Sequence, residues 1–103
     1  MSYLGITQDL STAGSAPIQG IYRIVQTLTP SSVGANATSE QLFTVRGVQV
    51  GDSVDINKNS HQSGIGIVNV VVRAANQLAI TFTNTTAGAI VPISESYIIG
   101  GFR

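Results

Sequence analysis

GIVNVVVRAANQLAITFT, residues 66–83, is the stretch of sequence that decides the fold. Two runs rich in β-branched residues flank Ala74-Ala75-Asn76-Gln77, and such runs are typical of strands. The pattern predicts a β-hairpin formed by residues 68–73 and 78–83. Successive strand side chains point to opposite faces of a sheet. The alternation therefore assigns one face of each strand to the core, with the side chains of Val68, Val70, Val72, Leu78, Ile80 and Phe82.

Four further runs of the same kind surround this hairpin, and no window shows the apolar spacing of a helix. Proline, glycine or asparagine ends several of them, as turn residues do between strands. The predicted strands are residues 21–28, 41–46, 53–57, 66–73, 77–83 and 96–102. Six short strands predict an all-β fold, either a single jelly-roll-like β-sandwich or a small barrel.

Residues 1–20 differ from the rest of the chain, and we expect them to form an extended N-terminal arm preceding one β domain at residues 21–103. Glycines and a proline interrupt any regular element in the arm. Its large aliphatic residues have a spacing that suits neither an amphipathic helix nor a core strand: Leu4, Ile6, Leu10 and Ile18. We expect these four side chains to bind a neighbouring subunit or the surface on which the protein assembles. The alternative is a frayed terminus.

The composition excludes several classes of protein. The 103 residues include no cysteine and have a net charge of zero, and only 10% of them are charged. Disulfide frameworks and thiolate metal sites are thereby excluded, and the lack of net positive charge argues against nucleic-acid binding. No apolar stretch approaches the ~20 residues of a membrane span, and the N-terminus does not resemble a signal peptide. We therefore expect folding in a cytoplasm, no membrane partner, and extensive contacts with other protein subunits.

Candidate catalytic and metal-binding groups are few. His61 is the only histidine, and it lies in a polar turn segment where a solvated side chain is the ordinary outcome. Residues 55–59 match the beginning of a calcium-binding EF-hand loop, but Ser60 and Gly66 stand where glycine and a bidentate glutamate are needed. We expect Asp55 and Asn57 to lie on the solvated face of a strand. The sequence thus predicts no catalytic residue, no metal site and no cofactor.

Residues 30–97 carry a family resemblance. The residues that carry it are SVGANATSEQLFTVRG (32–47), VGDSV (50–54), IGI (65–67), AANQLAITF (74–82) and NTTA (84–87). In this order they resemble a recurring module of tailed-bacteriophage virion proteins. Such modules occur as capsid decoration (cement) proteins and as parts of tail or fibre appendages, and they have no catalytic residues to transfer.

The resemblance implies a non-enzymatic decoration protein that binds the major capsid protein on the outer surface of the shell and stabilises it. The alternative is a tail- or fibre-associated module that binds a host receptor or glycan, and a small enzyme is a third possibility. The short chain favours decoration, because appendage proteins carry such modules fused to shafts or attachment regions.

Self-association is a separate expectation. The alternation places Ile67 and Val71 on the outer face of their strand, opposite the predicted core positions. A strand that is apolar on both faces is covered by a second sheet or by a partner subunit. We expect a homotrimer, since a three-fold assembly suits a capsid three-fold position, with Ile67 and Val71 among the partner-binding residues.

Overall fold

The computed structural model describes residues 19–103, and six antiparallel strands account for most of them. Residues 1–18, and with them the predicted binding residues Leu4, Ile6, Leu10 and Ile18, lie outside the described part. The strands are β1 (Ile21–Leu28), β2 (Ala37–Thr44), β3 (Ser53–Lys58), β4 (Ile65–Ala74), β5 (Gln77–Asn84) and β6 (Glu95–Phe102). Residues 19–103 contain no helix, so the predicted all-β class is confirmed.

The strands form two sheets of three strands each. Sheet A has the order β1-β6-β3, and sheet B has the order β2-β5-β4. The apolar side chains of the two sheets pack together in one core, which is the arrangement of a small β-sandwich. Its buried residues are Leu28, Val33, Val45, Val48, Val72, Leu78, Ile80, Phe82, Tyr97 and Ile99.

The predicted hairpin is present as β4 and β5, joined by Ala75 and Asn76. Asn76 has a positive φ of 63°, a conformation that asparagine tolerates better than most residues. Its side-chain oxygen accepts a hydrogen bond from the Gly47 amide at 2.9 Å. Its backbone amide donates to the Val48 carbonyl at 2.9 Å. The hairpin turn therefore also holds the loop between β2 and β3.

One part of the predicted face assignment is wrong. The pairing of β4 with β5 shifts between Ile67 and Asn69, so Val68 is an extra residue in a β-bulge. A bulge reverses the alternation on the residues that precede it. Val70 and Val72 face the core as predicted, but Val68 is 59% exposed and Ile67 packs against the core. Ile67 is thus not on the outer face where the sequence placed it.

The bulge gives a testable difference between two adjacent aliphatic residues. We expect Ile67→Ala to lower the free energy of unfolding by about 1–2 kcal/mol, because the side chain packs against the core. Val68→Ala should change it by less than about 0.5 kcal/mol, as is usual for exposed positions. Urea denaturation of both variants measures the difference, and equal losses would contradict the placement of the bulge.

Several predicted boundaries also differ from the structure. The sequence predicts a strand at residues 41–46, whereas β2 runs from Ala37 to Thr44. The polar residues at its start pair with β5, with Thr38 opposite Thr83. The ladder of sheet A extends one residue beyond β1, since Gly20 and Arg103 exchange backbone hydrogen bonds at 3.0 Å. The last residue of the predicted arm therefore lies against β6.

Candidate interaction surfaces

The outer face of sheet A carries several exposed apolar side chains close together. Alternation along β1 and β6 turns Tyr97 and Ile99 into the core and their neighbours outward. Four apolar side chains on this face form two cross-strand pairs, Ile21 with Phe102 and Val25 with Ile98. Ile21 is 73% exposed, Val25 55% and Phe102 47%. Clusters of exposed apolar side chains mark protein interaction sites more often than isolated ones do.

A polar network holds one end of this sheet. Asp52 precedes β3 and its side chain is buried, while Arg103 follows β6. The Arg103 Nε donates to Asp52 Oδ1 at 2.8 Å, and Tyr22 Oη donates to Asp52 Oδ2 at 2.8 Å. The Gln49 amide also donates to Asp52, at 3.0 Å. One carboxylate thus joins β1, the β2–β3 loop and the end of β6.

The network shifts the pKa of its three titratable members, and the hydrogen bonds to Asp52 raise that of Arg103. The hydrogen bonds from Arg103 hold the pKa of the Asp52 carboxyl well below its ordinary value. Burial, followed by the hydrogen bond to the Asp52 carboxylate, raises the pKa of Tyr22 to about 12. The Asp52 carboxyl therefore stays ionised and the Tyr22 phenol stays neutral near neutral pH. The Tyr22 phenol also fills the space that a Cβ at position 101 would need, so this position requires glycine.

A second network holds the opposite end of sheet A. Lys58, at the end of β3, pairs with Glu95, at the start of β6, at 2.9 Å, and both side chains are largely buried. The Ser60 amide and hydroxyl donate to Glu95 at 2.9 and 2.8 Å. The hydrogen bond from Lys58 is the main reason that the pKa of Glu95 is lowered. An ion pair thus links β3, or the residue before it, to β6, or the residue after it, at each end of sheet A. Such satisfied polar networks make the sheet more rigid.

The outer face of sheet B is smaller and partly covered. Leu42 and Val71 flank Ala79 on the central strand. Leu42 is 55% exposed, whereas Ala79 is 1% exposed. An exposed ion pair between Arg73 and Glu40, at 2.6 Å, joins the two outer strands across the same face. Val71 therefore lies on the outer surface as predicted, half-buried beside this ion pair.

A buried asparagine organises the loops at one end of sheet B. Asn84 is 1% exposed, and its amide donates to the carbonyls of Val33 and Gly88 at 3.0 and 2.8 Å. Its carbonyl oxygen accepts hydrogen bonds from the backbone and hydroxyl of Thr86. The full hydrogen-bonding capacity of the Asn84 amide is used within the protein, as a buried amide requires.

The candidate groups for chemistry are not brought together. His61 is exposed, and Asp55 and Asn57 lie on the exposed face of β3 as predicted. Within residues 19–103, no three histidine, cysteine or acidic side chains are close enough to hold a metal ion. The same residues include no helix that could span a membrane.

The Tyr97 hydroxyl is buried without a hydrogen-bond partner in this part of the chain, and burial raises its pKa to about 12.

Of the six predicted binding residues, only Ile67 and Val71 fall within the described residues, and the structure places them on opposite faces of β4. The sequence pattern does not predict the apolar outer face of sheet A. Residues 21–25 are apolar or amphipathic on both faces, so their alternation does not indicate which face of β1 is buried and which is exposed.

Comparisons with known proteins found no relative for this chain. No family model matches it, and no match was found among curated proteins or solved structures. A functional proposal must therefore rest on the surfaces described above and on the resemblance carried by residues 30–97.

Proposed function

We propose that this protein is a non-enzymatic virion structural protein, a decoration (cement) protein that binds and stabilises a bacteriophage capsid shell. The observation that carries the proposal is the exposed apolar face of sheet A, supported by ion pairs at both ends. Such a rigid adhesive surface suits a protein whose role is to contact protein neighbours, because little conformational entropy is lost when it is buried. The low content of charged residues also favours burial of this surface, since few ions need to be desolvated.

Stabilisation of the shell follows from mass action. A ligand that binds the assembled shell and not its dissociated subunits stabilises the assembly by an amount that rises with its concentration relative to its Kd. The proposed partner is the major capsid protein of the same virion, at the outer surface of the shell. The proposed oligomer is a homotrimer, which matches the symmetry of a shell three-fold position.

The proposed anchor is the N-terminal segment, with its aliphatic residues Leu4, Ile6, Leu10 and Ile18, and Val71 on the outer face of sheet B is a further contact. Ile67 is not proposed as a contact, because its side chain packs against the core. An extended segment can bind by adding a strand to an exposed sheet edge, with its apolar side chains in pockets. β1 and β2 are edge strands of their sheets.

Replacing the four aliphatic residues of this segment by serine tests the anchor. We expect the variant to fold, because the strands of the β domain are unchanged, and to bind undecorated shells at least tenfold more weakly. A matched control replaces the nearby polar residues Thr7, Gln8, Ser11 and Thr12 by alanine and should bind normally. Cosedimentation with shells measures both affinities, and equal binding by the serine variant would show that the anchor lies elsewhere.

A second candidate function is a tail- or fibre-associated module that binds a host receptor or glycan. The observation that favours it is a shallow pocket at one end of sheet B. Hydroxyl and amide groups suited to hydrogen bonding with a sugar line it, together with one alanine: Asn36, Ala37, Thr38, Thr83, Asn84 and Thr85. Asn84 is already committed to internal hydrogen bonds, which leaves the threonines and Asn36 for a ligand. Glycan array binding that is lost in Thr83→Val would support this function.

A further inference from the structure

The outer face of sheet A carries a charged row between its two apolar pairs. The register places Arg23 and Asp55 on either side of Gly100, on the central strand β6. Both charged residues are exposed, and neither belongs to an ion pair within residues 19–103. A cation and an anion thus lie on opposite sides of the central strand, in the middle of an apolar surface.

Gly100 determines where the anion lies. A Cβ built at this position would be 2.7 Å from Asp55 Oδ1, so the Asp55 carboxylate leans over the central strand into space that any other residue would occupy. The carboxylate therefore lies close to the middle of the face, and Arg23 projects from β1 on the other side.

We propose that this face docks on the same face of a second copy of the chain, related by a two-fold axis parallel to β6. That symmetry places β1 of one copy opposite β3 of the other. Arg23 then meets the second copy's Asp55, and the same contact recurs once more by symmetry. Phe102 and Ile98, on the central strand, meet their own counterparts, so apolar contacts lie on both sides of the charged row.

The charges select this arrangement over the other face-to-face pairing. A two-fold axis that crosses the strands through Gly100 would place Arg23 opposite Arg23 and Asp55 opposite Asp55. Like charges brought together at an interface are strongly unfavourable. The distribution of charge on the face is therefore complementary to itself only for the axis along the strands.

The size of the face predicts the strength of the association. Three strands of up to eight residues cover about 14 Å by about 26 Å, which is roughly half of the ~800 Å² that each partner buries in a standard interface. Because this area lies at the low end for specific interfaces, we expect a weak pair. The pairing uses the face on which the proposed function rests, with a second copy of the chain as the neighbour that this face contacts, while the N-terminal segment remains the proposed contact to the shell. The sedimentation test of the pairing needs no shell, so its outcome is separate from that of the proposed function. A three-fold association would use a different surface, and the two-fold contacts would then join neighbouring trimers.

Charge reversal of the full chain tests the pairing by sedimentation equilibrium. We expect Arg23→Asp and Asp55→Arg each to weaken it at least tenfold, because each places like charges together twice. An equimolar mixture of the two variants should associate at least as well as the wild-type protein, because every contact then joins an aspartate to an arginine. The double variant R23D/D55R should also associate.

A matched control reverses Arg46, an exposed residue in the β2–β3 loop, and should leave association unchanged. Rescue in the mixture distinguishes a two-fold pair from any site for an unrelated partner, which would not respond to mixing. The proposal would be overturned if the wild-type protein showed no association up to about 1 mM. It would also be overturned if the mixture of the two variants associated no better than each variant alone. Both variants should show the wild-type circular dichroism spectrum, since both positions are exposed.

Discussion

Replacing Ile80 by alanine is expected to lower the free energy of unfolding by about 4 kcal/mol, the upper part of the range for a fully buried large-to-small change. Ile80 is 0% exposed and lies on β5, the central strand of sheet B. It pairs with Val70 on one side and Gln41 on the other. Close packing on both sides limits how far the cavity can collapse, so the full cost of the cavity is expected.

Urea denaturation followed by circular dichroism measures this change. The matched control is Val50→Ala, because Val50 is 67% exposed and should lose less than about 0.5 kcal/mol. Val70→Ala should lie between the two, at about 1–2 kcal/mol, since Val70 is half-buried. A loss of less than about 0.5 kcal/mol for Ile80→Ala would mean that the inner and outer faces of β5 are exchanged.

Asp52→Asn is expected to lower the free energy of unfolding by about 2–3 kcal/mol. The substitution keeps the shape of the side chain but removes its charge and half of its capacity to accept hydrogen bonds. The one remaining oxygen cannot accept hydrogen bonds from Arg103, Tyr22 and the Gln49 amide together, and the new NH₂ group faces other donors. Asp55→Asn is the matched control, because Asp55 is exposed and forms no ion pair within residues 19–103. Equal effects of the two changes would show that the Asp52 network does not hold the sheet.

The same network predicts a dependence of stability on pH. Because the pKa of Asp52 is lower in the folded protein than in the unfolded chain, the unfolded state binds the proton more readily. The stabilisation is therefore complete above about pH 5 and decreases as the pH falls below about 4, toward the folded pKa. Glu95 contributes with the same sign. Denaturation curves between about pH 2 and 7 should show a shallower decline for Asp52→Asn than for the wild-type protein.

The strands could be predicted because alternation and turn residues are local signals. The predicted hairpin is confirmed, with Val70 opposite Ile80, since two adjacent strands joined by a short turn have few possible registers. The bulge at Val68 could not be predicted, because Ile67 and Val68 both carry β-branched aliphatic side chains that fit either face of the strand. Only the packing of both sheets decides which of them is buried.

The interaction surface was harder to predict for a different reason. Asp52 and Arg103 are 51 residues apart, and Lys58 and Glu95 are 37 residues apart. Such contacts depend on which strands become neighbours, and β6 pairs with both β1 and β3. Without that topology, Arg23 and Asp55 cannot be placed on one face. The composition therefore predicts contacts with other protein subunits, but it does not predict which surface would make them.

The number and position of copies on the virion tests the proposed function most directly. Quantitative mass spectrometry of purified particles, together with a particle map, gives both quantities. A decoration protein is expected at hundreds of copies per particle, at symmetry-related positions on the outer surface of the shell. About a dozen copies, confined to the tail, would contradict the account and favour the receptor-binding alternative.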